Sequence, residues 1–189
     1  MNDSQIIQLI NEGNQEYYGE LIQRHEQKIL VFIHYMLKNN SSMEVLAEDL
    51  CQETFIKAYK NLNSFRDKEA TFTTWLYTIA RNTVLSELRK SKNKGQYLED
   101  INIIPKTEAD ELPEYKLLKN ERIHLVREAI NTLPETQRMA IILREYEQLD
   151  YKQIGEIMDC SVSAVKSLIF RGRSAIKSKL EKYIISGSE

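Results

Sequence analysis

Residues 150–182, DYKQIGEIMDCSVSAVKSLIFRGRSAIKSKLEK, leave the chain little conformational choice, because they encode two helices meeting at a tight corner. Asp150 is a good N-cap and Gln153 follows at capping-box spacing, so a helix is expected to begin at Tyr151. Ile154, Ile157 and Met158 give that helix one apolar face. The pattern breaks at Asp159 and Cys160, where Ser161 can accept a hydrogen bond from the free amides of a second helix starting at Val162. Val165, Leu168 and Ile169 form the buried side of that second helix. Gly155 falls where the helices cross, and its missing side chain permits the steep approach of a helix-turn-helix.

The charge on this stretch points to a polyanion. From Cys160 to Lys182 there are six basic residues, Lys166, Arg171, Arg173, Lys177, Lys179 and Lys182, against one acidic residue, Glu181. Cations spread along a helix suit phosphates flanking a major groove, while Ser163, Lys166 and Ser167 near its start can reach base edges. A basic C-terminal helix also suits a solvated face that complements the helix dipole. The capped corner and Gly155 favour the groove.

A formal net charge of -2 is odd for a free-standing DNA binder, so the charges must be segregated and the acidic part needs its own explanation. Only six Gly and three Pro punctuate the 189 residues, which predicts long helices. No stretch approaches the length of a membrane span and the N-terminus lacks the pattern of a signal peptide, so a cytoplasmic protein without membrane insertion is expected. Cys51 and Cys160 have no CxxC spacing and read as buried thiols, and His25, His34 and His124 lack metal-ligand spacing. With no phosphate loop, nucleophile elbow or paired carboxylates, no catalytic residue, metal, cofactor or small-molecule substrate is expected.

In chain order, helices are expected at residues 3–12, 15–38, from the Ser41 cap to about 62, and at 72–90, with NNSS at 39–42 as a break and Ser41 with Glu44 as a second capping box. In the third helix Leu46, Ala47, Leu50, Cys51, Thr54, Phe55, Ala58, Tyr59 and Leu62 form the core stripe. Its other side carries Asp49, Gln52, Glu53 and Ile56 at i, i+3, i+4 and i+7. An isoleucine among acids suits docking of a basic, partly apolar partner helix, and a solvated face is the competing reading. In the fourth helix, Thr71 is the cap and Trp75 belongs to the buried side, while Thr74, Thr78, Asn82 and Ser86 recur at steps of four beside Arg81 and Arg89. Such small polar residues framed by arginines suit DNA, and Phe65, Phe72, Trp75 and Tyr77 offer a stacking surface for an unpaired base.

Residues 96–116, QYLEDINIIPKTEADELPEYK, hold six acids, two bases and two of the three prolines without helical periodicity. They read as an extended acidic linker between lobes 1–95 and 117–189. The second lobe begins with a helix at 117–131, and Pro134 then opens another, ETQRMAIILREYEQ, that leads into the corner. The fold class is therefore all-α, two small helical domains joined by that linker.

Three segments carry a resemblance: AEDLCQETFIKAY, FTTWLYTIARNTVLSELRK and LPETQRMAIILREYEQLDYKQIGEIMDCSVSAVKSLIFRGR, in this order and with the linker between the last two. Together they resemble the extracytoplasmic-function sigma factors of bacterial RNA polymerase. The resemblance implies a region 2 bundle that binds core polymerase, a region 4 helix-turn-helix, and initiation of transcription at chosen promoters. Asp49, Gln52, Glu53 and Ile56 would dock on the clamp helices of the polymerase's largest subunit, and the second lobe on its flap. Ser64, Phe65, Arg66, Thr78, Arg81, Asn82, Ser86 and Arg89 would contact the minus-ten element, the loop holding a flipped base. Ser161, Ser163, Lys166, Ser167, Phe170, Arg171 and Arg173 would contact the minus-thirty-five element. Leu168 stands where the family commonly has a basic residue, and it suits helix packing instead. An anti-sigma partner, able to hold the protein at the membrane until stress releases it, is also implied.

Two other readings compete. A stand-alone helix-turn-helix regulator would bind operator duplex alone and have no use for Asp49 and Glu53. A polymerase-binding protein that never touches promoters would have no use for Asn82 and Arg171.

Overall fold

The computed structural model describes residues 1–38, 44–68, 70–93 and 113–186, and every regular element among them is helical. The Ser41 and Glu44 capping box and most of the acidic linker lie outside the described residues. Helix α1 (Asp3–Asn11) opens on a capping box between Asn2 and Gln5, with both bonds at 2.9 Å. After Gly13, at φ +108°, and a 3-10 turn over Gln15–Tyr17 comes α2 (Tyr18–Met36). Then follow α3 (Glu44–Asn61), a 3-10 turn over Leu62–Ser64 and α4 (Phe72–Asn93).

Helices α2, α3 and α4 pack on one another, with α1 laid against α2. Polar links hold α1 there: the Asp3 carboxylate meets His25 Nε2 at 2.7 Å and Arg24 at 3.1 Å, and the His25 ring stands edge-on to Phe72. Thr71 caps α4 as expected, its Oγ1 accepting from the Thr74 amide at 3.2 Å.

The C-terminal half is α5 (Pro113–Asn131), α6 (Glu135–Ile141), α7 (Tyr151–Met158) and α8 (Val162–Ser186). Helix α5 starts four residues inside the stretch read as linker, because Pro113 tolerates a first helical turn, where its missing N–H has no partner to lose. Pro134 sits just before α6, and beyond Ile141 the helix widens into a π turn over Ile142–Tyr146 that periodicity does not signal.

The predicted corner is present. Asp150 Oδ1 accepts from the Gln153 amide at 2.8 Å, and the Asp150 amide donates to Gln153 Oε1 at 3.0 Å. Asp159 turns the chain at φ +54°, and Ser161 Oγ accepts from the Ala164 amide at 3.2 Å. Gly155 does face the second helix, where a Cβ would lie 3.8 Å from Val165 Cγ2, but the tighter demand is in the turn itself, where it would stand 2.8 Å from the Cys160 carbonyl oxygen. Replacing Asp150 with Ala removes both cap bonds and is expected to cost about 1 kcal/mol. A thermal melt followed by circular dichroism checks it.

The two halves are in contact, which nothing in the sequence signals. Helix α4 packs along α7 and the end of α2 along α6, so the buried residues of both halves form one continuous cluster.

Candidate functional site

Three surfaces come out of this arrangement. The first lies on α3, whose core stripe turns Asp49, Gln52 and Glu53 outward and leaves Ile56 54% exposed. Glu53 pairs with Lys57 at 2.7 Å, and Lys57 reaches Thr83 on α4 at 3.2 Å, which fixes the register of this face. Gln52 and Ile56 also line an open, mainly apolar groove of about 680 Å³ between α2 and α3, with Tyr18, Ile22, Cys51 and Phe55. Tyr59, assigned by spacing to the core, is instead 40% exposed on the groove wall, its ring 4.8 Å from that of Tyr18. Tyr18 is held by donating its hydroxyl hydrogen to the Phe55 carbonyl at 2.6 Å.

Tyr59 was discoverable, since it stands three residues after Ile56 on the same helix. So was Val45, four before Asp49 and 71% exposed. The Cys51 thiol is buried, as expected, and burial, helped by Glu26, pushes it up to about 11, so it stays protonated and unreactive. Cys160 is only half-buried.

The second surface joins the loop at 64–72 to α4. Phe65 is half-buried against Phe72 and Trp75, with centroids 5.8 and 5.4 Å away. Trp75, read from the sequence as part of the buried side, packs on the core but is only half-buried. Ser64 and Arg66 are exposed and fold back on the loop, Ser64 Oγ donating to the Asn61 carbonyl at 2.7 Å and Arg66 Nη1 to the Asn63 carbonyl at 2.8 Å. Along α4, Asn82, Ser86 and Arg89 are exposed. Thr78 and Arg81 are half-buried, Thr78 donating to the Thr74 carbonyl and Arg81 to Asn82 Oδ1 at 3.2 Å. Three residues depart from the sequence reading of a DNA-facing surface: Thr74 is 2% exposed beneath the cap, Phe72 is 3% exposed behind Phe65 and Trp75, and Tyr77 is 1% exposed, edge-on to Phe32. None of them can face a nucleic acid.

The third surface is the start of α8. Ser161, Ser163, Lys166, Ser167, Phe170, Arg171 and Arg173 are all exposed, Phe170 by 72%. Val165 and Ile169 point into the core with Leu168 half-buried beside them, so the opposite side must carry the polar residues. Arg173 is tied to Glu145 in the π turn, its Nε at 2.9 Å from the carboxylate. Lys166 lies 5.7 Å over the Tyr151 ring of α7, with Arg144 at 4.9 Å from the same ring.

Residues 21–94 match Sigma-70 region 2 and residues 123–176 match Sigma-70, region 4. The ECF RNA polymerase sigma-E factor of Haemophilus influenzae is 33% identical over 96% of this chain and 96% of its own length. The chain belongs to the ECF sigma factors of RNA polymerase. The sigma-E factor of Escherichia coli K12 is similar at 35% identity, each chain covered to 97%. Among solved structures, the sigma factor RpoE in complex with the anti-sigma factor NepR from Bartonella quintana aligns with a TM-score of 0.70 and 26% identity, over 87% of this chain and 96% of that one. The fold is shared with CnrH, solved in complex with the cytosolic domain of CnrY, with a TM-score of 0.67 at 20% identity over 95% and 97% of the two chains. In this sigma factor, then, the α3 and α4 surfaces fall in region 2 and the corner in region 4. No helix among the described residues is long and apolar enough to cross a membrane.

Proposed function

We propose that this sigma factor docks on the clamp helices of core polymerase through Asp49, Gln52, Glu53 and Ile56, and reads promoters through α4 and α8. Residues 1–95 serve the polymerase and the minus-ten element, 96–116 link, and 117–189 serve the minus-thirty-five element and the polymerase flap. The single observation that carries this is an exposed isoleucine set among acids on the rim of an apolar groove. A basic helix with an apolar anchor satisfies both, and a stand-alone operator binder has no use for either.

Promoter opening by such a protein uses binding energy and captured bases, without hydrolysis. The half-buried Phe65 and Trp75, backed by the buried Phe72, support capture of an unstacked base beside Ser64 and Arg66, and Asn82, Ser86 and Arg89 track the strand. The exposed Arg171 reads base edges and Phe170 suits a thymine methyl. The acidic linker occupies the path of the polyanionic transcript until RNA displaces it. Similarity to a sigma factor solved with an anti-sigma factor supports an inhibitory partner that covers these faces. The protein works in the cytoplasm, where the polymerase is.

Run-off transcription with core polymerase on a library of promoter fragments tests the reading. Transcripts are expected with the intact chain. Asn82→Ala is expected to reduce open-complex formation, and Arg171→Ala to weaken promoter binding by about 10- to 100-fold, the effect of losing one good base contact. No transcript from any fragment would refute it.

A further inference from the structure

An acidic side chain stands on the reading face of α8, where phosphates are to be met. Ser163, Lys166, Phe170 and Arg173 recur at steps of three and four, so they share one exposed stripe. Where such a helix enters a groove by its start, Ser163 is at the base edges and Arg173 lies about 15 Å farther along the axis. That exceeds the roughly 12 Å width of a major groove, so Arg173 meets the phosphate wall and not the bases. Yet its guanidinium is already paired with Glu145: Nε and Nη2 both donate to Oε1, at 2.9 and 2.5 Å. A carboxylate in that place repels DNA. The ion pair adds little stability in return, since the Arg173 side chain is 54% and that of Glu145 44% exposed.

What the pair does provide is direction. The side-on edge of the guanidinium, Nε with one Nη2 hydrogen, faces Glu145, which leaves the end-on edge, Nη1 with the other Nη2 hydrogen, to fork onto a phosphate. Glu145 itself is fixed from beneath. Ile141, one turn before it, packs at Gly172, the neighbour of Arg173, so the register of α6 on α8 delivers the carboxylate to that guanidinium. The π turn then holds its backbone. The Glu147 amide donates to the Ile142 carbonyl at 3.3 Å, the Leu149 amide to the Leu143 carbonyl at 3.1 Å, and Arg144 Nη1 to the Leu149 carbonyl at 2.7 Å. Such turns recur at functional sites.

We infer that Glu145 is a positioning residue for minus-thirty-five binding, holding the Arg173 guanidinium side-on so that its other edge meets a promoter phosphate. The inference rests on α8 as the promoter-reading helix. An arginine left loose must be immobilised when DNA arrives, and the lost rotamer freedom is subtracted from affinity. An arginine already held by its own fold loses little more. Glu145 touches no DNA and acts only through Arg173.

Holoenzyme reconstituted from the full chain and core polymerase tests this by fluorescence anisotropy, bound in the cold to a promoter fragment recovered from the run-off library. Glu145→Ala is expected to weaken binding about three- to tenfold, the cost of ordering one arginine side chain on arrival. Arg173→Ala should weaken it further and flatten the salt dependence by about one unit of slope, one phosphate's share of counterions. In the Arg173→Ala background, Glu145→Ala should change nothing, because its effect passes through that guanidinium. A merely structural role, or plain repulsion of DNA, would persist there. Tighter or unchanged binding by Glu145→Ala would overturn the inference, and so would a loss that adds to that of Arg173→Ala, or an Arg173→Ala that binds as the wild type does. Thermal melts of the variants should coincide with wild type, the pair being half in water. Should Glu145→Ala fail to fold by circular dichroism, Glu145→Gln, which keeps the arm and weakens the bond, takes its place in the same cycle. A wild-type chain that recovers no promoter from the library would overturn the sigma reading, and the positioning role with it.

Discussion

Replacing Asp49 and Glu53 together by Lys is expected to abolish co-migration with core polymerase in gel filtration while leaving the fold intact. Both carboxylates are exposed on α3, opposite its core stripe, so neither supports packing. Glu53 lies 2.7 Å from Lys57, and a lysine there would set like charges one turn apart, a cost of only a few tenths of a kcal/mol. Against a basic partner the consequence is much larger, because like charges brought together across an interface cost several kcal/mol, about 100-fold or more in affinity. The melt should therefore barely move while binding collapses. Replacing Ile56 by Ala, which keeps the charges and removes the anchor, separates apolar from electrostatic docking. A double variant that still co-migrates would return the α3 face to an ordinary solvated surface.

The second large effect is expected at Gly172. This residue is buried where α8 crosses α6, and a Cβ would stand 2.7 Å from Cγ1 and 3.1 Å from Cδ1 of Ile141, with the Gln137 carbonyl oxygen at 3.7 Å. Ile141 is 2% exposed and cannot swing into solvent. Gly172→Leu should force the helices apart at a cost of about 3 kcal/mol, the upper end for overpacking. That corresponds to roughly 6–12 °C in melting temperature for a chain of this size. Since α8 carries the minus-thirty-five residues, affinity for promoter duplex should fall with stability. Gly172→Ala should show the same direction at smaller size. A leucine variant with unchanged melting and promoter binding would mean that α6 and α8 do not cross as described.

The polar faces were legible because they are local. Asp49, Gln52, Glu53 and Ile56 share a side of α3 by helical period alone, and any helix that buries Leu50, Phe55 and Ala58 must turn them outward. The same logic exposes Ser163, Lys166, Ser167 and Arg171 once Val165 and Ile169 are buried. It fails where a residue's partner comes from elsewhere in the chain. Thr74 keeps the period of a DNA-facing row, yet it is covered by the cap at Thr71. Tyr77 has the composition of a stacking residue, yet Phe32 and the second half enclose it.

Capping boxes, the break at Gly13, the corner at Asp159 and the stripe of each helix are one-dimensional information: they depend on neighbours within a turn or so, whose identities are written beside them. Long-range closure is different in kind. That Arg138 caps the end of α2, 102 residues back, that Gly172 is squeezed by Ile141, and that Tyr59 walls a groove instead of filling a core all depend on which helices meet. Helix period prescribes which side of each element is apolar but leaves open which other side it will cover, and only the packed chain makes that choice.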